Sequence, residues 1–370
     1  MNLETQIAEL KARIEKGSRD GRDFRLLGLR LQTNGRLDEA LKTYEIALGL
    51  ALSTSEAALF QIHAGWVRYY QGDHPTAAET ARQVLEDLNR HPTDEAHILY
   101  AEGCALSLLA HSLWRSAHHS AQRAAREAAA KLERIVEDYP DFEEAPAAHA
   151  EATRIFSLLG DSRRALIYAR RSLDAATQPH LRVSAMLDCA EALRLSQRWT
   201  EAERILLEGI ALARPPCSGA ALYLPRLHFL LGAVQHAQGR RDEAKEAFNQ
   251  SLQESLAHPF LRGDADFLAQ VHTSLGHISA ELGELSHAIE AFNRVLDLHP
   301  NDDIERRYAL LWLGYCHAQR GEIVQAKEMY EQVLQSQLAT SEELERARTT
   351  LDTLRQGGRT TWSLRDWFTR

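Results

Sequence analysis

At 370 residues, 44% of them apolar and 26% charged, the chain is long enough for one or two packed cores and too apolar for a disordered linker. Its formal charge of −9 and isoelectric point near 6.0 count against nucleic acid as the expected main ligand. No segment reaches the about 18 consecutive apolar residues of a membrane span, and the first residues carry no apolar secretion core. The expectation is a cytoplasmic protein with no integral membrane segment.

In chain order, Leu3, Ile7, Leu10 and Ile14 form an apolar seam at helical spacing, which predicts a helix over residues 1–17. It serves either as a cap or as a short coiled coil with a partner. From residue 28 onward a pattern recurs. Gly28, Gly35, Ala40, Tyr44 and Ala47 return at the same offsets as Gly232, Gly239, Ala244 and Phe248. Gly276, Gly283, Ala288, Phe292, Val295 and Pro300 repeat it, as do Gly314, Gly321, Ala326 and Tyr330. Weaker copies keep the small residues and lose the aromatic: Gly65, Gly72, Ala77 and Ala81, then Thr153, Gly160 and Ala165, then Ala190, Ala202 and Leu206.

One copy is irregular. Gly103 finds its second-helix counterpart only at Ala128, with Leu132, Ile135 and Pro140 following. The surplus, about residues 111–127, reads as an extended polar helix, because alanine and arginine favour helix. Ser341 to Gln356 predicts a closing helix with Ser341 as its N-cap and acids in its first turn, ended by Gly357-Gly358. The tail beyond carries Trp362, Leu364, Trp367 and Phe368 beside Arg359, Arg365 and Arg370. That tail either docks on the last hairpin, enters the groove of a partner or of a second copy, or adsorbs to a membrane surface. The domain limits expected are therefore 1–17, 18–340 and 341–370.

This pattern resembles the tetratricopeptide repeat, in which two antiparallel helices meet at small residues and one aromatic fills the gap between them. Equivalent positions here are 37 to 44 residues apart, beyond the roughly 34 of the standard repeat. The resemblance implies an all-α, right-handed superhelical solenoid of about eight helix-turn-helix hairpins, with an N-terminal helix and a C-terminal capping helix. It also implies that first helices line a concave groove. Counted from each small residue, the groove-facing candidates are Ile62, His63, Trp66, Tyr69, Tyr70 and Tyr100, then Phe229, His236, Thr273 and His277, and finally Tyr308, Trp312 and Tyr315. Clustered aromatics suit peptide recognition, though each is equally explained by packing between helices. The resemblance does not extend to a carboxylate clamp for chaperone tails, since only Arg22 and Arg25 supply cations at those positions.

Chemistry-bearing motifs are missing from the sequence. It holds no phosphate loop, dinucleotide fingerprint, HExxH or GxSxG pattern. Cys104, Cys189, Cys217 and Cys316 are too far apart for zinc or redox spacing and read as reduced thiols. His111, His118 and His119 are weighed as metal ligands, with a solvated helix face as the preferred explanation. The same holds for Arg163, Arg164, Arg170 and Arg171, while Glu143-Glu144 and Asp302-Asp303 read as helix-start charges. Catalysis by His63, His236 and His277 lacks any residue to orient them. The expected function is a protein-interaction adaptor that binds a peptide or helical segment, without catalysis or cofactor. A peptide-responsive regulator and a scaffold that self-assembles into a homo-oligomer through its tail are the alternatives.

Overall fold

In the computed structural model, the described residues are 3–51, 53–90, 96–115, 118–214, 220–258, 261–301, 304–336 and 339–356. Among them are eighteen α-helices, two short 3-10 turns and no strand. An N-terminal helix α1 (Leu3–Glu15) precedes eight hairpins. The first four are α2 (Gly21–Thr33) with α3 (Leu37–Leu48), α4 (Thr54–Tyr70) with α5 (His74–Asn89), α6 (Ala96–Arg115) with α7 (Ala121–Asp138), and α8 (Ala145–Leu158) with α9 (Ser162–Ala175). They are followed by α10 (Pro179–Leu195) with α11 (Trp199–Ala213), α12 (Leu224–Ala237) with α13 (Arg241–Ala257), α14 (Ala265–Glu281) with α15 (Leu285–Leu298), and α16 (Ile304–Gln319) with α17 (Ile323–Gln335). A closing helix α18 (Ser341–Arg355) ends the series. The chain divides into two compact units, Met1–Val234 with Leu256–Asp264, and Gln235–Ser255 with Ala265–Arg370.

The small residues act as the pattern requires. A Cβ on Gly276 would stand 2.6 Å from the Phe292 ring, and one on Gly314 would stand 2.7 Å from Tyr330, so the aromatic of the second helix fills the glycine notch of the first. Where the aromatic is missing, another aliphatic side chain fills the notch: Gly65 faces Leu108 of the next hairpin's α6 instead of Ala81, and Gly103 faces Leu132 of its own α7. The hairpin turns demand a left-handed residue seven positions after the small one. Gly283 and Gly321, both at φ +79°, meet that demand, whereas Gln197 holds the equivalent place between α10 and α11 at φ +56°. A side chain there costs about 1–2 kcal/mol, part of which glycine returns through its greater freedom in the unfolded chain. Gln197→Gly is therefore expected to stabilise the first unit by about 0.5–1 kcal/mol, read as a rise in the thermal midpoint. An unchanged or lower midpoint would show that the Gln197 backbone is not strained.

The same position explains the irregular hairpin. Residue 110 is alanine, so no left-handed turn forms there and α6 runs on to Arg115. The surplus residues are helical as expected, but they do not form one extended helix. They lengthen both arms of one hairpin, and α7 buries Ala121, Ala124, Ala125, Ala128 and Ala129 along one face while exposing arginine and glutamate on the other.

At the N-terminus, Ile7 and Leu10 of α1 are buried with Phe24, Leu27 and Leu31 of α2, which closes the first hairpin's apolar side. At the other end, α18 buries Ala347, Thr350, Leu351 and Leu354, the apolar ones against Tyr330 and Val333 of α17. Its N-cap is Thr340, not Ser341: the Thr340 hydroxyl accepts from the Glu343 amide while the Glu343 carboxylate accepts from the Thr340 amide, a reciprocal box that Ser341 is one residue too late to make. Cys104, Cys189 and Cys316 are buried free thiols. Cys217, Asp302-Asp303, Gly357-Gly358 and the aromatic tail from Arg359 to Arg370 lie outside the described residues.

Candidate functional site

Six of the predicted groove residues of the candidate set belong to the first unit, namely His63, Trp66, Tyr69, Tyr70, Tyr100 and Phe229, and His236, His277, Tyr308, Trp312 and Tyr315 belong to the second. In the first unit, Trp66, Tyr69 and Tyr70 form one half-buried cluster on α4, with ring centroids 5.3 to 6.1 Å apart. Trp66 and Tyr69 rest on Leu108 and Ala81, so part of each ring is floor and part is surface. Trp66 also meets His111 of α6 edge-on at 5.4 Å. His63 stacks on Tyr44 at 5.4 Å, and burial followed by the nearby Arg25 lowers its pKa to about 4. Tyr100 is a core residue: it is buried and packs against Phe142 at 5.8 Å. Phe229 is half-buried.

The second unit corrects a further expectation. Trp312 is fully buried, stacked on Phe292 at 5.8 Å and touching His277 at 4.4 Å, so it belongs to the core and not to a groove surface. Burial, with His236 close by, takes the His277 pKa down to about 3. His236 Nε2 lies 2.9 Å from Glu281 Oε1, and the other oxygen of that carboxylate accepts from Arg241 at 2.6 Å, an ion-pair arrangement without a nucleophile. Tyr308 and Tyr315 are half-buried around Trp312 at 6.4 and 5.7 Å. His111, His118 and His119 build no metal centre, and among the described residues no group of three ligating side chains does.

Beside the first unit's aromatic cluster lies a cleft of about 310 Å³, lined by His111 of α6, by Thr153, Arg154, Ser157 and Leu158 of α8, and by Asp188 and Glu191 of α10. Five of the seven, all but His111 and Thr153, stand at the same offsets that pick out the aromatics. Arg154 and Glu191 follow their small residues, Thr153 and Ala190, by one, as Trp66 follows Gly65. Glu151 and Asp188 precede them by two, the register at which Ala101, Leu230 and Trp312 are buried. Two carboxylates thus occupy a position that three other hairpins fill with buried apolar side chains. The offset rule reaches them once it is applied to charged residues in hairpins whose small residue is not glycine.

Their electrostatics are unequal. Burial opposes ionisation of Glu151, but Arg154 and the Ser107 hydroxyl both contact its carboxylate and hold it below the usual range. Arg154 works against burial too, and stays firmly charged between Glu151 and Asp188. Glu191 is held by Arg194 through two bonds of 2.8 Å. Asp188 receives less: its Oδ2 is buried with no hydrogen-bond partner and lies 3.7 Å from Arg154. Burial pushes its pKa up to about 6. At another edge of the unit, Arg22 and Arg25 reach from α2 to Glu143 and Glu144 at 3.3 and 2.6 Å. Those two acids are more than helix-start charges, and the two arginines are already engaged.

Comparison with known proteins accounts for this architecture. Sequence profiles of the tetratricopeptide repeat match residues 25–97, 225–258, 269–302 and 308–337. No curated protein gives a significant match. Among solved structures, a Rap protein complexed with competence and sporulation factor aligns with a TM-score of 0.59 at 15% identity, covering 92% of this chain and 99% of that one. The human IFIT1 dimer with m7Gppp-AAAA aligns with a TM-score of 0.52 at 16% identity, covering 96% of this chain and 78% of that one. At such identities the likeness concerns the fold. With the repeat profiles recurring along the sequence and eight two-helix hairpins in the structure, the chain is a tetratricopeptide repeat protein.

Proposed function

We propose that this protein-interaction scaffold binds a peptide or helical segment of a partner on the first-helix face of its first unit, where the α4 aromatics adjoin the cleft between α6, α8 and α10. The observation that carries the reading is this adjacency: Trp66 touches both the Tyr69–Tyr70 pair and the cleft-lining His111. Apolar anchors beside a polar recess supply the two ingredients of peptide recognition, buried area and orientation. Repeat proteins of this family are generally non-enzymatic scaffolds, and among the described residues the cleft presents no nucleophile paired with a base.

The two aligned structures hold very different ligands, competence and sporulation factor in one and m7Gppp-AAAA in the other. The charge pattern here favours a peptide over a polyanion. Asp188 and Glu191 line the cleft with Arg154, whose charge Glu151 already offsets, and the chain carries −9 overall.

The test is selection from a displayed random-peptide library, followed by titration of the recovered sequences. A Trp66→Ala/Tyr69→Ala variant is expected to weaken them about 30-fold, the effect of losing about 2 kcal/mol at an aromatic anchor. Ile46→Ala, at an exposed position on the second helix α3, serves as the control. Recovered peptides that bind both variants like the parent would place recognition elsewhere. Trp312 is unsuited to this test, because truncating a fully buried tryptophan opens a core cavity at a cost of about 3–5 kcal/mol.

A further inference from the structure

We infer that the cleft between α6, α8 and α10 is a subsite for one cationic group of the bound peptide, with the Asp188 carboxylate as its direct partner. The inference rests on the peptide reading above and adds the chemistry of one contact. On α8, Arg154 is in direct contact with Glu151. On α10, Glu191 is taken by Arg194. From α12, Arg226 faces Asp264 at 3.5 Å. His111 of α6 has its Nδ1 on the Ser107 carbonyl at 2.9 Å, and burial lowers its pKa, so it brings no charge at neutral pH. Tyr70 of α4 and Tyr223 of the 3-10 turn Ala221–Tyr223 are both kept neutral, chiefly by burial. Every cation within reach is thus matched by another acid more closely than by Asp188. One negative charge remains, on a carboxylate whose Oδ2 is buried with no hydrogen-bond partner.

Burying a carboxylate without full compensation is unfavourable, and a charge-assisted hydrogen bond from an incoming donor removes that penalty. The recess has the size for one long side chain and not for a compact globular surface, since about 310 Å³ lies at the lower limit of small-molecule pockets. A guanidinium or ammonium group entering it would leave its aliphatic stem near Leu158 and the Trp66–His111 edge. An anion would meet the Asp188 charge that is left once Glu151 offsets Arg154 and Arg194 offsets Glu191. Binding of a cation also couples to a proton. The Asp188 carboxyl titrates at about 6 in the free protein, and a cationic partner pulls that value down. Affinity is therefore highest above pH 7, falls as the pH drops through 6, and is accompanied by proton release near pH 6.

The experiment uses the full chain and hexapeptide pools labelled with fluorescein at the C-terminus, read by anisotropy. Each pool fixes one position as Arg, Lys, norleucine or Glu and randomises the others among neutral residues. All are N-acetylated, and a further norleucine pool with a free α-amine separates a terminal ammonium from a side-chain cation. At pH 7.5 at least one cationic pool is expected to bind tenfold or more tighter than the acetylated norleucine pool, with the Glu pool weakest, and the preference should shrink several-fold at pH 5.5. Asp188→Asn should erase the preference while retaining norleucine-pool binding, and Asp188→Glu should restore part of it. Thermal melts confirm that each variant is folded. Equal binding of cationic and norleucine pools, lost in Trp66→Ala/Tyr69→Ala, would overturn the subsite and leave the peptide reading standing. A cationic preference that survives Asp188→Asn would likewise remove Asp188 from the contact. No pool binding at all would overturn both readings together.

Discussion

Arg154→Met is expected to destabilise the first unit by about 2–4 kcal/mol at pH 7, lowering its denaturation midpoint by far more than a surface arginine would. The guanidinium contacts Glu151 and stands 3.7 Å from Asp188, and both acids are largely withdrawn from water. Removing one partner of a buried ion pair leaves an uncompensated charge, which costs about 3–5 kcal/mol when burial is complete. Here the arginine side chain is 43% exposed, so solvent screening reduces the figure. The sign of the pH effect follows from the two carboxylates. In the parent chain Glu151 ionises below its ordinary pKa, so its contribution is present above the unfolded value and is lost as the pH falls through the folded one. Without Arg154 both acids are raised, and their penalty is present at neutral pH and vanishes as they protonate. The second effect narrows the gap by pH 4.5 and the first closes it only below the folded pKa of Glu151, so the gap should be wide at pH 7 and smaller at pH 4.5. Chemical denaturation at the two pH values measures it. A gap that is small at pH 7, or independent of pH, would mean that Arg154 is peripheral to the cluster.

The fold was legible because its determinants are local. Most hairpins announce themselves by a small residue, a left-handed turn seven places on, and an aromatic or aliphatic filler, largely within one helix-turn-helix. Where one determinant changed, the reading slipped for an identifiable reason: with Ala110 in place of the turn glycine, α6 simply continues, and an insertion becomes longer arms. The site was legible only in part. Periodicity says which residues face a given side, and it found Trp66, Tyr69 and Tyr70. It does not say how deep a side chain sits at that side. Tyr100 and Trp312 stand at offsets expected to face the groove, yet Phe142 and Phe292 cover them. Glu151, Arg154 and Asp188 escaped because their hairpins carry Thr153 and Ala190 where the strong copies carry glycine. Their meaning also depends on pairing across α6, α8 and α10, which no single repeat contains.

Asp188→Asn should act in the opposite direction from Arg154→Met and raise stability at pH 7.5 by about 1–3 kcal/mol. The Asp188 carboxyl titrates at about 6 in the folded protein against an ordinary 3.8. A carboxyl raised in this way favours its neutral form in the folded state. Its stabilising contribution is complete below the unfolded value and is lost as the pH rises through the folded one. About two pH units of displacement correspond to about 3 kcal/mol at neutral pH, and asparagine, already neutral, recovers most of it. Below pH 4 the parent side chain is protonated as well, so the gain should disappear there. Thermal melts at pH 7.5 and pH 4 separate this from a packing effect, which would persist at both. A variant that is no more stable than the parent at pH 7.5 would show that Asp188 is already compensated, and the cation subsite would lose its driving force. Stabilisation at pH 7.5 together with loss of the cationic preference is the combination expected of a group kept for a ligand, since a charge that opposes folding in the free protein becomes favourable only when its counter-charge arrives.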